Sequence, residues 1–219
     1  MNILILGCSY GVPNYFGPPG APPEHHLEFL LRAQGHSVHN CSKNSGSNLE
    51  TLTRAKQYLL GNCIKHPAYA GQYIECKEVG ALDLVIWFHT EVSRGNTVDF
   101  NFVYKEFANF FLDLATPVAV IGGAGDVLPD FETFFTPDFF IPSWRRLILG
   151  EHTPLTNNIS QSQLIEESNA PVEQKIQVID DSLHVIEAMQ NSQHFPDGCH
   201  PGTWPHQDLF DRLVTANLI

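Results

Sequence analysis

The sequence predicts an α/β fold built on a parallel sheet, and three observations carry that expectation. Short, predominantly apolar runs, Ile3–Leu6, Leu82–Phe88 (broken only by Asp83) and Pro117–Ile121, have the length of strands buried on both faces. Segments with apolar residues at helical spacing lie between and after them. The two kinds alternate along nearly the whole chain, the pattern of βαβ units with right-handed crossovers. The 219 residues, 43% hydrophobic and 16% charged, suffice for one domain with a substantial core, so a single domain over 1–219 is expected.

The first strand is Asn2–Leu6, closed by Gly7. Gly11 to Pro23 is rich in proline and glycine and reads as a loop, because proline removes backbone donors. Glu24–Gln34 places Leu27, Leu30 and Leu31 on one helical face, with Gly35 as a C-terminal stop. Ser37–Cys41 is a weaker strand. Leu49, Leu52, Ala55 and Leu59 recur at helical spacing, giving a helix that ends near Gly61. Residues 62–80 show no clear period. Leu82–Phe88 is the strongest strand. Phe102, Phe107, Phe110, Phe111 and Leu114 form a wide helical stripe, and Pro117–Ile121 is a strand closed by Gly122-Gly123. Phe139–Ile141 reads as a short fifth strand. Val172, Ile176, Ile179, Leu183 and Ile186 alternate by four and three, and Leu209, Leu213 and Ala216 suggest a closing helix. The stretches near 62–80 and 122–165 interrupt the rhythm as insertions, places for substrate contacts.

Twelve basic against 24 acidic side chains give a formal charge of −12. That argues against nucleic acid as a partner, since phosphate binding needs clustered Lys and Arg. No run of 18 apolar residues occurs, so no membrane span is expected. Ile3–Leu6 is too short for a signal peptide and no basic residue precedes it, so a cytoplasmic location is expected. The five cysteines, Cys8, Cys41, Cys63, Cys76 and Cys199, are odd in number and form no Cys-x-x-Cys pair, which argues against a disulfide framework or a zinc knuckle.

In an open parallel sheet, ligands collect at the carboxyl ends of the strands, so the residues just after each apolar run matter most. Ser9 follows the first strand between Gly7 and Gly11. A hydroxyl on such a turn projects from the sheet edge, but it needs a base to act as a nucleophile at neutral pH. Asp197-Gly-Cys-His200 supplies one: the carboxylate takes the proton on one imidazole nitrogen and leaves the other free to accept from Ser9. Pro196 and Pro201 stiffen the turn. Singly, each motif has a plainer explanation, a tight turn or a helix cap; their joint placement is what points to catalysis. Cys8, one residue off the turn, should face the core. His25, His26 and His206 have no carboxylate or cysteine at ligand spacing, so they read as exposed histidines rather than metal ligands. Gly122-Gly123-Ala-Gly125 lacks dinucleotide-site spacing. The aromatic stretch Phe131–Trp144 reads as core or a subunit contact first, and as the lining of an acyl or sugar pocket second.

Gly7-Cys8-Ser9 after the first strand and Asp197-Gly-Cys-His200-Pro201 before the last helix resemble the SGNH (GDSL-like) hydrolase superfamily. The resemblance spans residues 1 to about 215, on short motifs. It implies a three-layer α/β/α sandwich of flavodoxin-like type, with about five parallel strands in the order 2-1-3-4-5. It implies an esterase with a catalytic triad of Ser9, His200 and Asp197, acting through an acyl-enzyme on an acetyl or short acyl ester of a small molecule or glycan. No metal or organic cofactor is implied. Gly46, within Asn44-Ser45-Gly46-Ser47-Asn48, looks like the family's glycine whose N–H joins the oxyanion hole.

The third block departs from the family, which usually has Gly-x-Asn there; this chain has His89-Thr90-Glu91. A carboxylate cannot donate to an oxyanion. Either His89 or Thr90 replaces the donor, or the hole consists of the Ser9 and Gly46 N–H groups alone. Losing one donor costs about 2.7–4 kcal/mol of transition-state stabilisation. Thr90 with the nearby Arg94 is similar to SGNH-like proteins of tailed phages. The alternative to an esterase is therefore a catalytically weak or inactive SGNH-like domain with a binding or structural role, as a homo-oligomer or in a larger assembly such as a virion. Hydrolysis and acyl transfer share the acyl-enzyme, so the acceptor stays open.

Overall fold

A computed structural model describes residues 1–8, 11–12, 26–43, 46–62, 64–65, 73–74, 79–90, 100–123, 129–144, 147 and 203–219. Five strands form one sheet: β1 (Asn2–Gly7), β2 (Ser37–Asn40), β5 (Leu84–Phe88), β6 (Val118–Ile121) and β7 (Phe139–Ile141). Every pairing in it is parallel, and the order is β2-β1-β5-β6-β7. Numbered within the sheet alone, that is 2-1-3-4-5. β1 pairs with β2 from Asn2↔Ser37 and with β5 from Ile3↔Leu84 to Gly7↔Phe88.

Four described helices cover the sheet: α1 (Leu27–Ala33), α2 (Asn48–Leu59), α3 (Phe100–Leu114) and α4 (Thr203–Thr215). Alternation along the strands sends Ile3, Ile5, Leu84, Ile86 and Phe88 toward α1 and α4, where Leu27, Leu31, Leu209 and Leu213 meet them. Leu4, Leu6, Val85 and Trp87 face the other way, toward Leu52 and Ala55 of α2 and Phe107 and Phe111 of α3. The result is a three-layer α/β/α sandwich. Both sheet faces are apolar, which is why these strands read as continuous runs. Each fully buried Leu, Ile or Phe contributes about 1.5–3 kcal/mol.

Helix ends follow local chemistry. His26 is the N-cap of α1, its Nδ1 accepting from Glu28 N–H at 3.2 Å, so the helix begins later than Glu24. Ser47 opens α2 with a reciprocal capping box: its hydroxyl accepts from Glu50 N–H and the Glu50 carboxylate accepts from Ser47 N–H at 2.9 Å. Gly35 and Gly61 follow α1 and α2 with positive φ, 84° and 81°.

Two differences from the sequence expectation stand out. Within 62–80 lies a small antiparallel pair, β3 (Ile64–Lys65) with β4 (Tyr73–Ile74). Phe102 is 49% exposed, on the outer side of α3, while Val103 and Tyr104 turn inward beside Phe107. The aromatic stretch 131–144 belongs to the core, the first of its two readings: Phe131 and Trp144 are fully buried, and Phe134, Phe135, Phe139 and Phe140 pack around them. A 3-10 turn, Pro129–Thr133, holds Phe131 there. The helix expected around Val172–Ile186 lies outside the described residues.

Candidate active site

Three of the candidate site residues are described: Gly46 lies just before α2, while His89 and Thr90 follow β5 at the carboxyl edge of the sheet. β1 has neighbours on both sides there, and Gly7 passes so close to β5 that a Cβ on it would stand 2.5 Å from Phe88 Cβ and 2.6 Å from Phe88 O. Cys8 follows, fully buried in the core as expected. Gly11 N–H donates to Cys8 O at 3.1 Å, so the chain is tied together on both sides of Ser9. A side chain at Gly11 would collide with Ser42 Oγ. Ser9, Asp197 and His200 themselves lie outside the described residues, as do Cys199 and Glu91.

The segment after β2 is fastened to this edge. Asn40 Nδ2 donates to Gly11 O and to Glu28 Oε2, both at 2.7 Å, and Asn40 Oδ1 accepts from Ser42 N–H at 2.9 Å. Lys43 N–H and Thr51 Oγ1 both donate to Gly7 O, at 2.8 and 3.1 Å. Ser42 is fully buried and its hydroxyl has no partner among the described residues. Gly46 is buried, and its N–H donates to Lys43 O at 3.1 Å, closing a turn. Glu50 is held below the usual carboxylate range by its bond to Lys43 Nζ at 2.7 Å, then by the Ser47 N–H. The Cys41 thiol is pushed up to about 12 by burial.

At the end of β5, His89 and Thr90 are both fully buried. The His89 ring lies against Trp87 edge-on at 5.2 Å, on the α3 face, with Nε2 3.1 Å from the Tyr104 hydroxyl. Its Nδ1 has no partner among the described residues, and burial lowers its pKa to about 3, so the ring is neutral. Thr90 N–H donates to Asn48 Oδ1 and Thr90 O accepts from Asn48 Nδ2, each at 2.9 Å. Asn48 thus links the second block, which holds Gly46, to the third. Nothing in its sequence context marks it beyond a polar residue at a helix start.

The expectation of exposed histidines is corrected for two of them. His26 and His206 are buried at the seam between α1 and α4, with ring centroids 4.3 Å apart, because helix packing encloses both. Burial, and then His26, hold the His206 pKa well below its ordinary value. His206 also meets Trp144 at 5.0 Å, and Trp144 N–H donates to the carbonyl of Gly123, just after β6. The start of α4 therefore sits at the carboxyl edge. Among the described residues, no group of three or more His, Cys, Asp and Glu is placed to hold a metal ion, and no helix is long and apolar enough to cross a membrane.

No family model matches the chain, and no curated protein matches it. Several solved structures do. TesA is 12% identical over 100% of both chains, with a TM-score of 0.47. A member of the lipolytic protein G-D-S-L family from Veillonella parvula is 11% identical, covering 98% of this chain and 97% of its own, with a TM-score of 0.47. The psychrotrophic esterase EstA from Pseudoalteromonas sp. is 11% identical, covering 87% and 99%, with a TM-score of 0.40.

Proposed function

We propose that the chain is a serine hydrolase of the SGNH type, cleaving an acetyl or short acyl ester on a small molecule or glycan. The observation that carries this is the strand order. β1 lies between β2 and β5, so the sheet's connections diverge on either side of it, and a ligand crevice forms at such a switch point. Ser9 is the second residue past β1 there. The segment with Asp197 and His200 leads into α4, which begins at the same edge.

In this reading Ser9 Oγ attacks the ester carbonyl while His200 takes its proton, and Asp197 orients the ring. The tetrahedral oxyanion receives the N–H groups of Ser9 and Gly46. Collapse expels the alcohol, protonated by His200, and leaves an acyl-enzyme; water, activated by His200, then releases the acid. The test is hydrolysis of p-nitrophenyl acetate and of acetylated oligosaccharides by the wild type and Ser9→Ala. The substitution should cost on the order of 10⁴-fold or more. Equal rates overturn the reading.

A second reading has one specific observation in its favour. The Gly46 N–H is already engaged by Lys43 O, and Glu91 stands where an amide donor would serve, which suits an inactive domain kept for binding or structure. A folded wild-type protein with no esterase activity and stable self-association would support it.

A further inference from the structure

Asn48 occupies the first position of α2, two residues after Gly46, and it is nearly fully buried. Its carboxamide exchanges two 2.9 Å hydrogen bonds with the backbone of Thr90, which fixes the side chain in one orientation, oxygen toward the Thr90 N–H. The amide nitrogen carries two N–H groups. Among the described residues only Thr90 accepts from it, and it takes one.

The place of this amide follows from its neighbours on the helix. Thr51, at i+3 on the same face, donates to Gly7 O at the end of β1. Further along α2, the Tyr58 hydroxyl meets His39 Nδ1 at 2.7 Å, and His39 is level with Leu4, three residues back from Gly7. So α2 runs against the strand direction. Asn48 stands three residues before Thr51, about 4.5 Å of helix rise further toward the end of the sheet at which β1 finishes. It spans from the block of Gly46 to the end of β5, beside the end of the strand between them.

We propose that Asn48 is a catalytic residue of the oxyanion hole, its second N–H donating to the tetrahedral oxyanion while Thr90 holds the amide in place. This inference rests on the hydrolase reading. It gives the hole a side-chain donor already oriented by two bonds, where Glu91 offers none and the Gly46 N–H is shared with Lys43 O.

Asn48→Asp is the sharpest variant, because it keeps the size and the acceptor for Thr90 N–H and removes both donors. With p-nitrophenyl acetate, kcat should fall about 100- to 1,000-fold with KM within about threefold. A folded Asn48→Asp protein whose kcat falls less than about tenfold overturns the inference. A second measurement needs no variant. In wild-type protein labelled with ¹⁵N-asparagine, one of the two Asn48 side-chain amide protons should move downfield when Ser9 is phosphonylated by a fluorophosphonate. An adduct on Ser9 with neither proton moving overturns the inference while leaving the hydrolase reading intact. Wild-type protein that takes no adduct overturns both.

Discussion

Gly7 and Phe88 approach so closely at the ends of β1 and β5 that no side chain fits between them. A Cβ on Gly7 would meet Phe88 Cβ at 2.5 Å and Phe88 O at 2.6 Å. Because backbone and not a flexible side-chain tip stands in the way, the two strands would have to part. Gly7→Ala should therefore destabilise the fold by about 1–3 kcal/mol. A urea midpoint unchanged from the wild type would contradict this contact.

Ser47 and Glu50 close the start of α2 reciprocally, and that start carries Asn48 and follows Gly46 directly. Ser47→Ala should cost about 1 kcal/mol of stability. Ser47→Asp should recover most of it, since a carboxylate also caps and suits the helix N-terminus. Thermal unfolding of the three proteins checks both.

Acid should destabilise the protein well above the usual carboxylate range. His89 titrates near its ordinary 6.5 when unfolded and at about 3 when folded. Between these values the unfolded state binds more protons, so stability rises with pH, and falls as pH drops below about 6.5. His206, also lowered by burial, acts with the same sign. His89→Gln should flatten the dependence of the urea midpoint between pH 7.5 and 5. An equally steep dependence in the variant would exclude His89 as a source.

Cys41 should be inert while the fold holds. It is fully buried and its thiol is pushed up to about 12, so little thiolate exists at neutral pH. Iodoacetamide at pH 8 should leave the Cys41 peptide unmodified in native protein and modify it after denaturation. Comparable native labelling would contradict the burial.

The strands β1, β5 and β6 were legible in the sequence because burial on both faces turns them into unbroken apolar runs. The β3–β4 pair was not, since two-residue strands carry no period. Helical spacing puts Phe102 in the stripe on α3, yet packing against the sheet selects Tyr104 and Val103 instead. His26 and His206 each read as surface histidines, and only the meeting of α1 with α4, distant in sequence, encloses them. The same limit hides Asn48: its partner Thr90 is 42 residues away, and a polar residue at a helix start suggests no such bond. Position after the third strand makes His89 or Thr90 the alternative to a hole built from the Ser9 and Gly46 N–H groups alone. The structure encloses the His89 ring beside Tyr104 and pairs the Thr90 backbone with Asn48.

The central claim is an activated Ser9 at the end of β1. Purified protein treated with a fluorophosphonate near pH 8, alongside Ser9→Ala, and read by intact mass tests it most directly. The account predicts a single adduct on the wild type that is absent from the variant. A folded wild-type protein that takes no adduct, or an adduct that persists in Ser9→Ala, would contradict it.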